Sequence, residues 1–260
     1  MTTEGYATNT TEVQWRLICR FIPAAKKRGR PQTVDRRRVI DAILYLVRTG
    51  CQWRMLPKDF PHWKTVANLF YQWRDNGVWQ AIHDALVGKV RKASGRKEHP
   101  SAAILDSQSV KTTEVGGEHG YDAGKKINGR KRDVIVDTLG LILAVVVTPA
   151  DLQDQDSACF ALAQLKNRSR RLSLIWADSA YGRSGLPEWV ATTFGWIVQV
   201  VLRPVTAEGW IHLPKRWIVE RTFGWIGRSR RHSKDYERNP KSSETLILIA
   251  MIQIMLRRLT

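Results

Sequence analysis

Three carboxylates in this sequence occupy places where acidic side chains often do chemistry. Asp106 ends the apolar run Ile-Leu-Asp, and Asp178 ends the apolar run Ile-Trp-Ala-Asp. Glu220 lies in the segment 215–231, whose apolar residues recur at helical spacing and leave the glutamate off the apolar face. Taken singly, each acid is ordinary, since an aspartate after a strand usually makes a turn and a glutamate among arginines usually makes an ion pair. Together, the three acids predict a shared site.

Three close carboxylates are suited to holding hard cations beside a phosphodiester. Mg²⁺ prefers carboxylate oxygens and retains waters, so few protein ligands are needed. Two such ions about 3.5–4 Å apart can activate an attacking oxygen and stabilise a leaving oxygen. Acids placed this close repel one another without a cation. The hypothesis from the residues is therefore a metal site that cuts DNA.

The elements that position these acids form an α/β pattern from Ser101 onward. We predict strands at 102–105, 132–137, 141–148, 174–177 and 196–202, and helices at 156–167, at 186–193, around Glu220 and near 246–256. This order predicts a mixed sheet with helices on its faces. Asp106 and Asp178 then follow the ends of two strands, where chemistry collects in α/β sheets.

The first third of the chain has a different pattern. Apolar spacing predicts helices at 34–48, 66–75 and 78–90, with Thr33 and Thr65 as N-caps. Three short helices with tight turns and many basic residues are typical of a helix-turn-helix domain, although any small helical bundle has the same pattern. The polar stretch 91–99 predicts a boundary between an N-terminal helical DNA-binding domain, 1–98, and a second domain, 99–260.

The charge of the chain indicates a polyanionic partner. Its 260 residues carry a formal net charge of +18, and the basic residues are spread over most of the sequence. The apolar fraction of 43% is that of a globular protein. We expect no secretory signal and no membrane span, because the longest apolar run is shorter than the ~20 residues needed. These features predict a cytoplasmic, nucleoid-associated protein that binds nucleic acid.

Basic residues near these segments are candidates for contact with DNA. The Gly-Arg-Pro stretch around Arg30 resembles a hook for the minor groove, with a solvated linker as an equal alternative. The predicted DNA-binding residues are Arg28, Arg30, Lys64, Arg74, Lys125, Lys126, Arg130, Lys131, Arg216, Arg221, Arg228, Arg230 and Arg231. We interpret Asp133, Asp137 and Asp154 as strand, turn and cap residues.

Several segments resemble one protein family. They are ILDSQSVKT (104–112), GRKRDVIVDTLGLIL (129–143), WADSAYG (176–182), RWIVERTFGWIGRSRRHSKDYE (216–237) and, in the first third, residues 28–73. Through these motifs the chain resembles bacterial insertion-sequence transposases of the DDE type, of the insertion-sequence-five family.

The resemblance implies a ribonuclease-H-like fold and a catalytic, metal-binding triad of Asp106, Asp178 and Glu220. It also implies Mg²⁺ or Mn²⁺, with two ions expected. Arg216 matches the arginine of the family's glutamate motif. Leu213 stands where a tyrosine is expected and Gly227 where a lysine is expected, and Arg228 is the nearest substitute for that lysine. These departures concern the DNA contacts of the helix rather than the triad.

From these motifs we predict that the protein is a transposase. It would bind double-stranded DNA at the element's terminal inverted repeats, cleave it, and join the freed 3′ end to target DNA, as a homodimer or higher assembly. Two alternatives remain from other classes: a DNA-binding regulator without catalysis, and a nuclease of the same fold that cuts without joining. A decayed, inactive transposase is a further alternative. The regulator would not need the three acids to converge.

Overall fold

The computed structural model describes residues 5–24, 34–182, 185–201 and 215–260. Within these ranges the strands are β1 (Ala102–Lys111), β2 (Gly120–Asp122), β3 (Ile127–Asp137), β4 (Ile142–Pro149), β5 (Leu174–Ala177) and β6 (Ile197–Val200). The α-helices are α1 (Glu12–Ile18), α2 (Arg36–Thr49), α3 (Trp63–Asp75), α4 (Val78–Ala93), α5 (Asp154–Leu165), α6 (Leu186–Phe194), α7 (Arg216–Gly227) and α8 (Pro240–Leu259). The prediction of a mixed α/β structure with a helical N-terminal region is confirmed.

A single six-stranded sheet has β1 near its centre. β1 pairs antiparallel with β3 on one side and parallel with β5 on the other. β5 pairs parallel with β6, which lies at one edge. At the opposite edge β4 pairs antiparallel with most of β3, while β2 pairs with the first residues of β3. The sheet therefore runs β4–β3–β1–β5–β6, and β1 and β5 bring their acids side by side.

The first strand is longer than its sequence predicts. We expected it to end at Asp106, yet β1 continues to Lys111. Its pairing with β3 continues, with Asp106 opposite Val134, whereas its pairing with β5 stops at Ile104. Asp106 thus lies inside a strand, just beyond the point where the neighbouring parallel strand ends. The short strand β2 was not predicted either, because its three residues lie in a glycine-rich loop sequence.

Helix α8 joins the N-terminal helices to the sheet. Most of its length is buried, and it packs against α4, α2 and β4. One hydrophobic cluster therefore runs from the N-terminal helices through α8 into the sheet. α4 extends to Ala93, into the stretch where we predicted the boundary. The division into 1–98 and 99–260 stays a prediction.

The N-terminal helices differ from prediction mainly at their ends. α1 was not predicted; Thr11 and Gln14 form a capping box at its start. Asp35 caps α2, and the predicted cap Thr33 lies outside the described residues. α3 begins at Trp63, three residues earlier than expected, after His62 as its N-cap. None of the helices in the described ranges is long and apolar enough to cross a membrane.

Candidate active site

The three predicted acids converge on one point of the structure. That point is Nη2 of Arg216, which lies 3.5 Å from Asp106 Oδ2, 3.7 Å from Asp178 Oδ2 and 3.8 Å from Glu220 Oε1. The acids come from the middle of β1, from the residue after β5 and from the first turns of α7. A guanidinium among three carboxylates stands where a cation is electrostatically favoured.

Backbone amides hold one oxygen of each aspartate. Asp106 Oδ1 accepts a hydrogen bond from its neighbour Ser107 N–H at 2.8 Å. Asp178 Oδ1 accepts one from Ala180 N–H at 2.8 Å, in the short 3-10 turn that follows β5. In each case the other oxygen faces Arg216. The Glu220 side chain is 46% exposed, so it is the least constrained of the three.

Helix α7 is fixed across the sheet by its contact with the β3–β4 hairpin. Thr222 Oγ1 donates a hydrogen bond to Gly140 O at 2.8 Å, and Arg221 Nη2 donates one to Leu139 O at 3.1 Å. Val219 and Ile226 are buried beneath the helix, as the apolar spacing predicted. Gly140 has a φ of 80°, and a Cβ there would lie 2.8 Å from Thr222 Oγ1. A glycine in this turn therefore sets how closely α7 approaches the sheet.

Burial raises the pKa of Asp106. The residue is 8% exposed, and this burial raises the pKa of its carboxyl group to about 6. The Arg216 guanidinium and the Ser107 N–H act in the opposite direction, while the charge of Asp178 adds to the rise. The ionised form of Asp106 is thus favoured only by a nearby positive charge such as that of Arg216.

Two family models match this chain. The model described as a transposase of the IS4/5 family matches residues 10–83. The model described as a transposase DDE domain matches residues 97–255, which is more than half of the chain. The chain belongs to the DDE-domain transposase family. The resemblance inferred from the motifs is confirmed, and the three converging acids lie inside the matched domain.

Two curated relatives are similar over part of the chain. The uncharacterized protein y4sN of Sinorhizobium fredii is 34% identical over 65 residues, 25% of this chain and 52% of that protein. The uncharacterized 16.2 kDa protein of insertion element IS402 from Burkholderia cepacia is 30% identical over 112 residues, 41% of this chain and 75% of that protein. The match thus spans about half the length of the first relative and three quarters of the second.

DDE transposase domains generally use divalent metal ions, and the donor set here is chemically suited to them. The three acids offer the carboxylate oxygens that Mg²⁺ and Mn²⁺ favour. Their present spacing suits a guanidinium: no three acidic, histidine or cysteine residues in the described part of the chain lie close enough to hold a metal ion as arranged. Mg²⁺ needs oxygens at about 2.0–2.1 Å. A cation held by all three acids would require Arg216 to leave this point and the carboxylates to move closer together.

Four of the predicted DNA-binding residues already have protein partners, and three of them are buried. Arg130 is fully buried, pairs with Asp235 at 3.3 Å and donates to Glu237 O and Arg238 O. Lys131, also buried, pairs with Asp154 at 2.6 Å. The remaining two are Arg231, which is buried and donates to Glu237 Oε1 at 2.9 Å, and Arg74, which donates to Ser242 Oγ at 2.7 Å and to Asp75 Oδ1 at 2.8 Å.

Three of these positions do not fit the prediction that the side chains contact DNA. Arg130, Lys131 and Arg231 are buried, and their charged groups already have protein acceptors, so they offer no face to a duplex. We therefore correct the prediction for these three residues, which have a structural role. Arg74 is only half-buried, and its contact with DNA stays a prediction.

Several of the other predicted cations lie at the surface of the described part of the chain. Lys64, Lys126, Arg228 and Arg230 are exposed. Lys125 is exposed as well, and its Nζ lies 3.3 Å from Ser107 Oγ, beside Asp106. Arg221 is half-buried between two tryptophan rings. Arg28, Arg30 and Leu213 lie outside the described residues.

A second layer of polar groups lies behind β1, and sequence reasoning did not identify it. Asp133 is fully buried opposite Ser107, accepts a hydrogen bond from Ser157 Oγ at 2.8 Å, and has its pKa raised by burial to about 7. Ser107 Oγ donates to Asp154 Oδ1 at 3.0 Å. Tyr181 is buried nearby, and its burial raises its pKa well above 10. Strand alternation could have found this layer, since Ser107 and Asp106 must point to opposite faces.

Proposed function

We propose that this protein is a transposase that binds double-stranded DNA, cleaves a strand at the end of its element and joins that end to target DNA. The observation that carries the proposal is the approach of Asp106, Asp178 and Glu220 to one point, Arg216 Nη2, within 3.8 Å. A regulator without catalysis has no need of this convergence. The family to which the chain belongs supports the same function.

The sheet supports a ribonuclease-H-like fold for the catalytic region. Its order is β4–β3–β1–β5–β6, with β1 and β3 antiparallel and β1, β5 and β6 parallel. The acids lie on the central strand, after its parallel neighbour and on helix α7, which packs against β1 and β3. We propose this fold for residues 99–260.

Asp106, Asp178 and Glu220 would hold two divalent ions, Mg²⁺ or Mn²⁺. Such ions supply charge stabilisation and activation of the attacking oxygen when bound. Of the chain's own groups, the two aspartates are oriented by backbone amides and Glu220 completes the site from α7. Arg216, once displaced from the acids, and the exposed Lys125 are placed to contact a phosphate at the site.

The proposed reaction has two steps at phosphorus. In the first, water attacks the phosphate at the element end, the bond to the 3′ oxygen breaks, and that oxygen takes a proton to become a 3′-hydroxyl. In the second, this hydroxyl loses its proton as it attacks a target phosphate, and the bond to the target's own 3′ oxygen breaks. One phosphodiester is broken and one is formed in the second step, so no external energy source is required.

Helix α3 supports the proposal of a helix-turn-helix-like DNA-binding region. Lys64, Asn68 and Gln72 are exposed and four residues apart, so they form one polar stripe along the helix. Amide and amine side chains on such a stripe suit the edges of bases in a major groove. Since two element ends must be brought together for joining, we propose a homodimer or larger assembly on DNA.

The test is a cleavage and strand-transfer assay on DNA that carries the element's ends. Asp178→Asn and Glu220→Gln keep the side-chain shape and remove a charge. We expect both variants to bind DNA and to lose cleavage and joining. Glu188→Gln, at an exposed position of α6, makes the same charge change away from the site and should stay active.

The products and the variants separate the alternatives. Cleavage without joined products by the unaltered chain would favour the nuclease. DNA binding without cleavage, under every divalent ion tried, would favour the regulator or an inactive transposase. Full activity of Asp178→Asn would show that the triad is wrongly assigned.

A further inference from the structure

A cationic groove lies at the far end of α7 from the triad. It is formed where the end of α7 meets α2 and α8, and it encloses about 310 Å³. Four arginines line it, together with Trp225 and Gln253; the arginines are Arg48, Arg228, Arg257 and Arg258. Among the described residues, no aspartate or glutamate lines the groove.

The four arginines of the groove have no ion-pair partner within the part of the chain that the structure describes. Arg48 Nη1 donates to Arg228 O at 2.7 Å, which positions one guanidinium without neutralising it. Partial burial and the charge of nearby Arg221 lower the pKa of Arg258, while the charge of Asp137 acts in the opposite direction. Repelling cations held together in this way favour an anion.

Besides its positive charge, the groove contains a hydrogen-bond donor that has no acceptor. Gln253 is 7% exposed, and its amide nitrogen has no hydrogen-bond partner among the described residues. A buried donor without an acceptor is unfavourable. Phosphate oxygens are strong acceptors, and arginine contacts them through two parallel N–H groups.

A row of stacked side chains connects the triad to this groove. Arg221 lies 4.7 Å from the ring centre of Trp217 and 4.5 Å from that of Trp225, one helical turn to either side. Arg258 covers Trp225 at 4.4 Å. Glu220 and Arg228 are eight positions apart, about 12 Å at 1.5 Å per residue. Along the axis of a duplex lying parallel to α7, one strand advances about 3.4 Å per nucleotide, so this separation would correspond to roughly three or four nucleotides.

We propose that this groove binds the phosphate backbone of the DNA strand a few nucleotides from the bond that is cut. The inference rests on the proposed function, because the DNA must lie at the triad for the spacing to apply. The groove would hold the substrate without reading its sequence, since its charged groups suit phosphates rather than base edges. It would thereby fix the strand's position along α7.

The first test is the salt dependence of DNA binding. The affinity of the full chain for a labelled mixed-sequence duplex of about 30 base pairs would be measured at several salt concentrations. Arg228→Gln with Arg257→Gln removes two exposed charges of the groove; Lys166→Gln with Arg170→Gln removes two exposed charges elsewhere. We expect the groove variant to bind about tenfold or more weakly than the control variant, and the slope of log affinity against log salt to fall by about one to two.

The second test locates the contact on the DNA. Single phosphates next to the cut bond would be replaced by neutral methylphosphonates in DNA that carries an element end. In the unaltered chain, one or two positions about three or four nucleotides from the cut should weaken binding. In the groove variant the same positions should have no further effect. The Arg→Lys versions of both residues keep the charge and should preserve the salt slope.

The outcomes separate this inference from the proposed function. If the unaltered chain does not bind DNA, the proposed function fails. If it binds and cleaves, but the groove variant matches the control variant in affinity and slope, the inference fails alone. If the Gln variant does not fold, the inference is still tested by the Lys variant and by the methylphosphonate series on the unaltered chain. Equal weakening of binding at every substituted phosphate would contradict a contact at this distance from the cut.

Discussion

Removing the positive charge of Arg216 should tighten the binding of a divalent cation by the protein without DNA. Its Nη2 lies 3.5, 3.7 and 3.8 Å from the three carboxylates, which is longer than a charge-assisted hydrogen bond of about 2.7–2.9 Å. Partly exposed pairs of this kind contribute about 0.2–1 kcal/mol each. An entering cation must displace all three, which amounts to roughly 0.6–3 kcal/mol. Since about 1.4 kcal/mol is a factor of ten, we expect Arg216→Gln to bind Mn²⁺ roughly 3- to 100-fold more tightly.

The measurement is a titration of the DNA-free protein with Mn²⁺, followed by electron paramagnetic resonance or calorimetry. Arg228→Gln is the matched control, because it removes the same charge from the end of the same helix without touching the acids. A second readout is thermal unfolding. Without a cation, Arg216→Gln should unfold at a lower temperature than the control, because its three acids repel one another. Added Mn²⁺ should raise its unfolding temperature by more.

One result would refute this account of Arg216. If Arg216→Gln binds Mn²⁺ no more tightly than Arg228→Gln, the guanidinium does not occupy the cation's place, and its approach to the acids is incidental. Weaker binding would also refute this account, but for another reason: Arg216 would then help to hold the acids in an arrangement that binds the cation.

Three further predictions test the structure around the site. Arg130→Met should lower the free energy of unfolding by about 3–5 kcal/mol in urea, because it leaves Asp235 buried without its cation, whereas the exposed Lys126→Met should change it by less than about 0.5 kcal/mol. Gly140→Ala should lower the free energy of unfolding by about 1–3 kcal/mol and reduce cleavage, because its Cβ would meet Thr222 and Trp225. Gly224→Ala, in open space on α7, should instead be neutral or stabilising. Equal effects of the two substitutions would contradict the proposed packing of α7 on the β3–β4 turn. Asp133 has a folded pKa of about 7 against about 3.9 unfolded, so the folded state favours its protonated form, and stability should fall as pH rises from about 4 to about 7. Asp133→Asn should flatten this part of the pH profile of unfolding and raise stability at pH 8 by a few kcal/mol, and an unchanged profile would show that Asp133 is ionised in the folded protein.

The sequence located the triad because two of its members follow strong local signals. Asp178 comes directly after a buried strand, and Glu220 lies on a helix with clear apolar spacing. Asp106 was also identified, but the end of its strand was misplaced. The residues Ser107 to Lys111 are too polar for a strand on local preference alone, and pairing with β3 extends β1 through them. That pairing joins distant segments, so local sequence could not reveal it.

The sequence could not tell buried cations from exposed ones. We predicted that Arg130 and Lys131 contact DNA, yet both residues and the following Arg132 and Asp133 are buried. The main chain of 232–238 lies over this part of β3 and supplies carbonyl acceptors, including His232 O for Arg132 at 3.1 Å. This distant segment, rather than the neighbouring residues in the sequence, determines which polar residues of β3 are buried.

This burial changes what the net charge of +18 means for DNA binding. Arg130, Lys131 and Arg231 each have an acidic partner in the interior, so they contribute little to the field that a duplex meets. The guanidiniums of Arg228 and Arg257 are exposed and have no such partner among the described residues. The slope of log DNA affinity against log salt concentration should therefore depend on the number of unpaired surface cations, not on the total number of basic residues. Neutralising Arg130 should leave that slope unchanged in the folded protein, while neutralising Arg257 should reduce it.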